Sequence, residues 1–113
     1  MGRRFNEMML REVCDAVGVS RRAVQGYESA GLVSASGKNN RGYLLYDEAA
    51  QEKIRKIKLF QEMGFSIKEI KVLLDAPNHV LKVALEVRVE KLRKENGRLE
   101  EMIGVAMEMI NKL

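Results

Sequence analysis

Apolar residues recur at helical spacing in five segments of the chain, separated by short polar breaks. In the first two segments the apolar positions are Leu10, Val13 and Cys14, then Ala23, Val24 and Tyr27. The first set is spaced i, i+3, i+4 and the second i, i+1, i+4, and each set lies on one face of a helix. The first helix is predicted over Met9 to Val17 and is ended by Gly18, since glycine commonly follows a helix. Ser20 is placed to cap the second helix with its side-chain oxygen.

After the second helix the pattern changes to two short extended runs around a turn-rich loop. Residues 32–33 and 43–46 are the predicted strands, and residues 34–42 form the loop that joins them. This pattern predicts a small hairpin with Lys38 and Arg41 at its tip.

The next two segments predict a pair of helices. The third helix is expected from its cap, Asp47, to about Met63, and the fourth from a capping box at Ser66 and Glu69 to the residues before Pro77. The inner positions of the third helix are Ala50, Ile54, Ile57 and Phe60, and its basic positions are Lys53, Arg55, Lys56 and Lys58.

The longest periodic segment begins near Val80 and continues to the end of the chain. Its seam consists of Leu85, Val89, Leu92, Asn96, Leu99, Ile103, Ala106, Ile110 and Leu113, spaced alternately by four and three residues. This heptad pattern predicts a coiled coil, so these residues are the predicted dimerisation contacts. Branched residues at the a positions favour two strands, and Asn96 at an a position favours one register. The pattern leaves open whether the two helices run parallel or antiparallel.

The second predicted helix carries side chains that read DNA. Arg21, Arg22 and Gln25 fall mainly away from its apolar face, and arginine and glutamine bond bidentately to guanine and adenine edges. The second helix of such a close pair enters the major groove, and a basic hairpin beside it is a wing that grips phosphate. The predicted DNA-binding residues are Ser20, Arg21, Arg22, Gln25, Tyr27, Lys38, Arg41, Gly42, Tyr43 and Lys58.

The predicted fold is therefore mostly α, with a winged helix-turn-helix domain plus a helix pair, followed by a long coiled-coil dimerisation helix. We place the DNA-binding domain at residues 1–77 and the dimerisation helix at residues 78–113. The net charge is +4, and residues 1–46 carry seven Lys or Arg against four Asp or Glu, so a basic excess lies in the segment that holds the predicted recognition helix, as expected for nucleic-acid binding.

The remaining composition narrows the function. Cys14 is the only cysteine, so an intrachain disulfide is impossible and a buried apolar role is expected for it. No apolar run approaches membrane-spanning length, and a cytoplasmic location is expected. His79 is the only histidine, and no nucleophile–base set, phosphate loop or metal cluster appears. An enzyme is therefore not expected, nor is a cofactor or a metal ion.

Taken in order, these motifs resemble those of the MerR family of bacterial transcription regulators. The matching stretches are Val19 to Val24 with Tyr27-Glu28, Gly31-Leu32-Val33, Arg41-Gly42-Tyr43 with Leu45-Tyr46, and Met63 to Ile70. The resemblance implies a homodimer whose long helices run antiparallel and which distorts promoter DNA to regulate transcription. The implied partners are double-stranded promoter DNA and a second copy of the chain, and RNA polymerase is a further candidate.

The chain departs from the family pattern at three positions. The family usually has arginine and tyrosine where this chain has Gln25 and Gly26, and arginine where it has Leu44. Two alternatives therefore stay open. One is an architectural, excisionase-like DNA-binding factor, and the other is a coiled-coil interaction module without DNA binding.

Overall fold

The computed structural model describes residues 6–113, so Arg3 and Arg4, which contribute to the N-terminal basic excess, lie outside the described residues. Its elements are β1 (Met8–Met9), α1 (Leu10–Val17), α2 (Arg21–Ser29), β2 (Gly37–Lys38), β3 (Leu44–Tyr46), α3 (Glu48–Glu62), α4 (Ile67–Leu74) and α5 (Asn78–Asn111). The mostly helical class is confirmed. The chain divides into one compact unit that ends at Asp75 and another that begins at Ala76. The assignment of DNA binding and dimerisation to the two parts stays a prediction.

Local sequence sets where the helices of the first unit begin. Ser20 Oγ accepts a hydrogen bond from the backbone N–H three residues further on, at 3.0 Å. Asp47 Oδ1 does the same for α3 at 2.9 Å. Ser66 and Glu69 form the predicted reciprocal box, at 3.0 and 3.1 Å. All three predicted caps are thus confirmed, and losing one typically costs about 1 kcal/mol.

The predicted hairpin is present, and its second strand lies within one residue of the prediction, but its first strand lies further along the chain. β2 pairs antiparallel with β3, whereas the pattern predicts the first strand at residues 32–33 and the second from Tyr43. Leu32 and Val33 are instead 4% and 8% exposed and enter the core as an irregular segment. The Leu32 N–H donates a hydrogen bond to the Tyr27 carbonyl oxygen at 2.9 Å, so this N–H is used at the end of α2 and not in a strand. These apolar residues indicate burial and not strand pairing.

β1 occupies the other edge of the sheet, whose strand order is β1-β3-β2. Met8 lies opposite Tyr46 and Met9 opposite Leu45. β1 is not predicted from the sequence, because a two-residue strand is too short to show alternation. α1 begins at the residue after β1, so the sheet ties the first helix directly to the hairpin.

The core of the first unit joins its helices to β3. The largest fully buried side chains are Tyr46, Ile54, Ile57, Ile70, Val13 and Val24. The predicted inner face of α3 is confirmed, since its four residues are at most 7% exposed. Phe60 and Phe65 make an edge-to-face contact with ring centres 5.7 Å apart, across the turn between α3 and α4. Cys14, predicted to be buried, is half-buried, and this partial burial raises the pKa of its thiol.

α5 is a single helix of 34 residues, and none of these residues is buried. It begins after Pro77, two residues before the predicted start at Val80. Leu113, the last predicted seam residue, lies beyond the end of the helix and is fully exposed. Within residues 6–113, no helix combines the length and the apolar character needed to cross a membrane.

Two glycines of the helix-turn-helix differ in what a side chain would cost. A Cβ added at Gly26 meets nothing within 4 Å, whereas Gly31 has a φ of +77°, in the left-handed region. Gly26→Ala should therefore raise the free energy of unfolding by about 0.5–1 kcal/mol, because alanine loses less backbone entropy in a helix. Gly31→Ala should lower it by about 1 kcal/mol or more. Urea denaturation measures both, and equal effects of the two variants would contradict the assignment.

Candidate nucleic-acid interface

The burial of one side of α2 presents its arginines to solvent. Val24 is fully buried and Tyr27 is 3% exposed, whereas Arg21, Arg22 and Gln25 are exposed. Residues at i, i+1 and i+4 of a helix lie on neighbouring positions of its surface. The three predicted base-reading side chains therefore share one surface, which we call the polar face of α2.

The first turn of α2 is electrostatically unusual. It holds Arg21 and Arg22 and no acidic residue, although the N-terminus of a helix carries the positive end of its dipole. Each arginine there is disfavoured by about 0.3–1 kcal/mol. An anion such as a DNA phosphate would relieve this repulsion. Ser20 is occupied in capping the same turn, and its own DNA contact stays a prediction.

The tip of the hairpin is held by Asn39. Its Oδ1 accepts hydrogen bonds from the N–H groups of Arg41 and Tyr43 at 2.9 and 3.0 Å. Gly42, with a φ of +82°, supplies the left-handed residue that the turn requires. Arg41 is exposed and the Tyr43 ring is 58% exposed, whereas Lys38 lies on β2 just before the turn. Asn39 is not among the residues predicted from the sequence, although an asparagine shortly before a glycine is typical of a turn that its side chain stabilises.

A cleft of about 540 Å³ opens between α1, α2 and the hairpin tip. It is lined by Met9, Leu10, Arg11, Arg21, Gly42, Tyr43 and Leu44. The fold thus brings Arg21 of the polar face of α2 beside Gly42 and Tyr43 of the wing. The fold also places Arg11 at this cleft. Arg11 is not predicted from the sequence, because a single exposed arginine on a helix cannot be told from an ordinary solvated charge. Arginines and a tyrosine around such a cleft suit a sugar–phosphate backbone.

Lys58 has a structural role in this unit. Its Nζ donates to the carbonyl oxygens of Val17 and Gly18 at 3.2 and 2.9 Å, and lies 3.9 Å from a Glu62 carboxylate oxygen. A cation at the last carbonyls of a helix stabilises that end. Lys58 therefore holds the end of α1 against α3, and its predicted DNA contact stays a prediction.

Two tyrosine hydroxyls anchor α2 from within. Tyr27 donates to Gln61 Oε1 at 2.6 Å, and Tyr46 donates a short hydrogen bond to Glu28. The prediction of Tyr27 as a DNA contact is corrected, because its buried side chain positions α2 and offers no surface. Burial raises the pKa of Tyr27, and burial together with the Glu28 hydrogen bond raises the pKa of Tyr46 strongly.

The predicted dimerisation residues from Leu85 to Ile110 lie along one side of α5. They are exposed or half-buried, with Leu99 at 62% and Ile110 at 66%. Their pairing with a second chain stays a prediction. No group of three or more His, Cys, Asp or Glu side chains is arranged to hold a metal ion in the part of the chain that the structure describes.

The sequence of this chain is similar to those of known regulatory proteins. The family model described as "MerR HTH family regulatory protein" matches residues 8–77. The chain is 38% identical over 94 residues to the HTH-type transcriptional activator mta of Bacillus subtilis, which is 83% of this chain and 37% of that protein. It is 29% identical over 91 residues to the activator TipA of Streptomyces coelicolor, which is 80% of this chain and 36% of that protein. The chain thus spans less than half the length of these curated relatives.

Solved structures show the same fold. The N-terminal part of the Bacillus subtilis multidrug transporter activator, MtaN, matches with a TM-score of 0.70 and 35% identity, covering 91% of this chain and 97% of that one. HiNmlR, described as a MerR family regulator lacking the sensor domain and bound to promoter DNA, matches with a TM-score of 0.71, covering 92% of this chain and 87% of that one. Its identity is 13%, so this likeness concerns the fold alone. The predicted winged helix-turn-helix class is confirmed.

The raised pKa of Tyr46 predicts how the free energy of unfolding changes at alkaline pH. The pKa of Tyr46 is raised in the folded state, so its hydroxyl contributes fully to the free energy of unfolding below a pH of about 10. As the pH rises from there toward the folded pKa, this contribution is lost by about 1.4 kcal/mol per pH unit. Tyr46→Phe should lower the free energy of unfolding at neutral pH by about 1–3 kcal/mol, because Glu28 loses a donor. It should also flatten the alkaline fall. Urea denaturation from pH 7 to 11 measures both effects.

Tyr43→Phe is the matched control, since Tyr43 is 58% exposed. It should change stability by less than about 0.5 kcal/mol. A Tyr46→Phe variant as stable as this control would refute the anchoring role of the Glu28 hydrogen bond.

Proposed function

We propose that this chain, which belongs to the MerR family of helix-turn-helix regulatory proteins, is a sequence-specific DNA-binding transcriptional regulator that acts on promoter DNA as a homodimer. The observation that carries the proposal is the shared cleft, where the arginine-bearing start of α2 meets the tip of the wing. A regulatory family also supports the expectation that the chain is not an enzyme.

The two parts of this surface divide the work of recognition. The polar face of α2 enters the major groove, where Arg22 and Gln25 read base edges. Arg21 and the wing residues Lys38, Arg41 and Tyr43 contact the phosphate backbone. Phosphate contacts set orientation and supply most of the salt-dependent affinity, whereas base contacts supply sequence preference.

α5 supplies the second reading unit by pairing with its copy. Its seam is exposed in the single chain, and at 34 residues the helix is about 51 Å long, since each residue adds 1.5 Å. A symmetric dimer presents two recognition helices, so the operator is expected to be a pseudo-palindrome. The relatives mta and TipA are both described as transcriptional activators, which supports activation as the outcome.

Activation in this proposal works through the shape of the promoter. The dimer bends and untwists the DNA between the elements that RNA polymerase reads, at a cost on the order of several kcal/mol. The phosphate contacts of two wings and two helix starts offset that cost. RNA polymerase is accordingly the proposed second partner at the promoter.

Salt-dependent binding to two DNA duplexes separates this function from its alternatives. One duplex carries the promoter upstream of the chain's own gene and the other is random. We expect steep salt dependence on both and a preference for the promoter. Steep dependence without preference would favour the architectural factor. Absence of binding at low salt would leave the interaction module.

Three variants test the residue roles within that experiment. Arg22→Ala should weaken promoter binding by about 1–3 kcal/mol and reduce the preference, because it removes a base contact. Lys38→Ala should weaken both duplexes equally and reduce the salt slope by about one, because it removes a phosphate contact. Lys94→Ala, on the side of α5 opposite its seam, removes the same charge and should change neither. If Arg22→Ala matches Lys94→Ala, Arg22 is not in the interface.

A further inference from the structure

We propose that the charges beside the seam of α5 allow one antiparallel register with a second copy, in which Arg93 of each chain faces the partner's Glu100. The inference rests on the homodimer of the proposed function, whose antiparallel orientation the family resemblance implies, and it adds the register. Arg93 and Glu100 are both exposed on α5 and lie seven residues apart on the same flank of the seam. Charges at such flanking positions select partner and orientation in coiled coils.

The seam itself is most complete in this register. When two helices run antiparallel, each a residue packs in a layer with a d residue of the other chain. The layers are Asn96 with the partner's Leu99, Leu92 with the partner's Ile103, Val89 with the partner's Ala106, and Leu85 with the partner's Ile110. All eight seam residues inside the helix then have a seam partner. A shift by one heptad in one direction places Ile110 against the partner's polar Asn78, and a shift in the other direction is opposed by the flanking charges.

The flanking charges favour the same register. Antiparallel pairing brings each flank against the same flank of the other chain, so Arg93 meets the partner's Glu100, twice by symmetry. A one-heptad shift in one direction brings Arg93 against the partner's Arg93 and Glu95 against the partner's Glu95. A shift in the other direction brings Glu100 against the partner's Glu100. Each shift replaces attraction by repulsion.

Parallel pairing is also opposed by charge. In a parallel coiled coil each residue before an a position faces the residue after the next d position of the partner. Glu95 would then face the partner's Glu100, and Arg88 the partner's Arg93, each twice. Like charges across both flanks disfavour this orientation, so this chain's own charges agree with the antiparallel orientation that the family resemblance implies.

In the proposed register, only one pair of flanking residues brings opposite charges together. In the proposed register, the other flanking positions place a charge beside methionine: Met102, Met107 and Met109 face the partner's Glu95, Glu86 and Arg88. Methionine is apolar and adaptable, so these contacts add contact area with little preference for charge. Arg93 and Glu100 therefore form the only opposite-charge pair across the flanks, and reversing one of them tests the proposal directly.

Charge reversal in the full-length chain is the first test. Arg93→Glu alone, or Glu100→Arg alone, turns two attractive pairs into two repulsive ones, and we expect the dimer dissociation constant to rise about tenfold or more. An equimolar mixture of the two variants restores opposite charges in both pairs and should form a heterodimer within about threefold of the wild-type constant. Sedimentation equilibrium measures the dissociation constants, with circular dichroism as the check on helix content. A mixture as weak as the single variants would overturn the proposal.

Cysteine cross-linking reads the register itself. In a Cys14→Ser background, chains carrying Leu92→Cys and chains carrying Ile103→Cys should cross-link to each other under an added oxidant. Leu92→Cys chains alone should remain unlinked. Self-linking of Leu92→Cys chains would indicate parallel pairing, and failure of the mixed pair to link while the protein is dimeric would exclude this register.

The two proposals fail in different ways. A chain that stays monomeric at all concentrations would refute the homodimer of the proposed function together with this register. A dimer that cross-links as expected but does not bind DNA would refute the DNA-binding function and leave the register intact. A dimer that binds the promoter while Arg93→Glu leaves its dissociation constant unchanged would refute only the register.

Discussion

Tyr46 connects the wing to the helices that it must accompany. Its side chain is fully buried, its hydroxyl donates to Glu28 on α2, and its carbonyl accepts from Gln51 Nε2 on α3 at 2.9 Å. Its strand, β3, also lies between β1 and β2. Because one residue is hydrogen-bonded to both neighbouring helices, the hairpin tip is held beside the start of α2. The cleft that defines the candidate interface depends on that placement.

Two features of the chain are unfavourable for a single molecule, and each would become favourable with one of the proposed partners. Arg21 and Arg22 occupy the first turn of α2, where the helix dipole disfavours positive charge. α5 leaves a full apolar seam in water, with none of its residues buried. Departures from local rules of stability commonly coincide with functional sites. In the proposed function, DNA phosphate resolves the first feature, and a second α5 resolves the other.

The seam and its flanks have separate physical roles in that pairing. Apolar burial along the seam is non-directional and provides most of the free energy of association. It does not by itself distinguish parallel from antiparallel helices. The placement of Arg93 and Glu100 does, because opposite charges meet in one arrangement while like charges meet in the others. The proposed dimer, whose two reading units must be correctly spaced, would depend on both roles.

The sequence by itself determined the parts of this protein that depend on neighbours along the chain. The caps at Ser20, Asp47 and Ser66, the inner face of α3 and the continuity of α5 all follow from residues within a few turns of each other, and the structure confirms them. The exposed position of Arg22 likewise follows from helical periodicity.

Only the tertiary structure decided the parts that depend on distant residues. It buried Leu32 and Val33 instead of pairing them, added β1 to the sheet, and used Lys58 to hold the end of α1. Tyr27 shows the limit most clearly, because a tyrosine on an arginine-rich helix suits either DNA or the core. Its hydrogen bond to Gln61, 34 positions away, settles the question. Such contacts form where the folded chain brings segments together, and local periodicity carries no record of them.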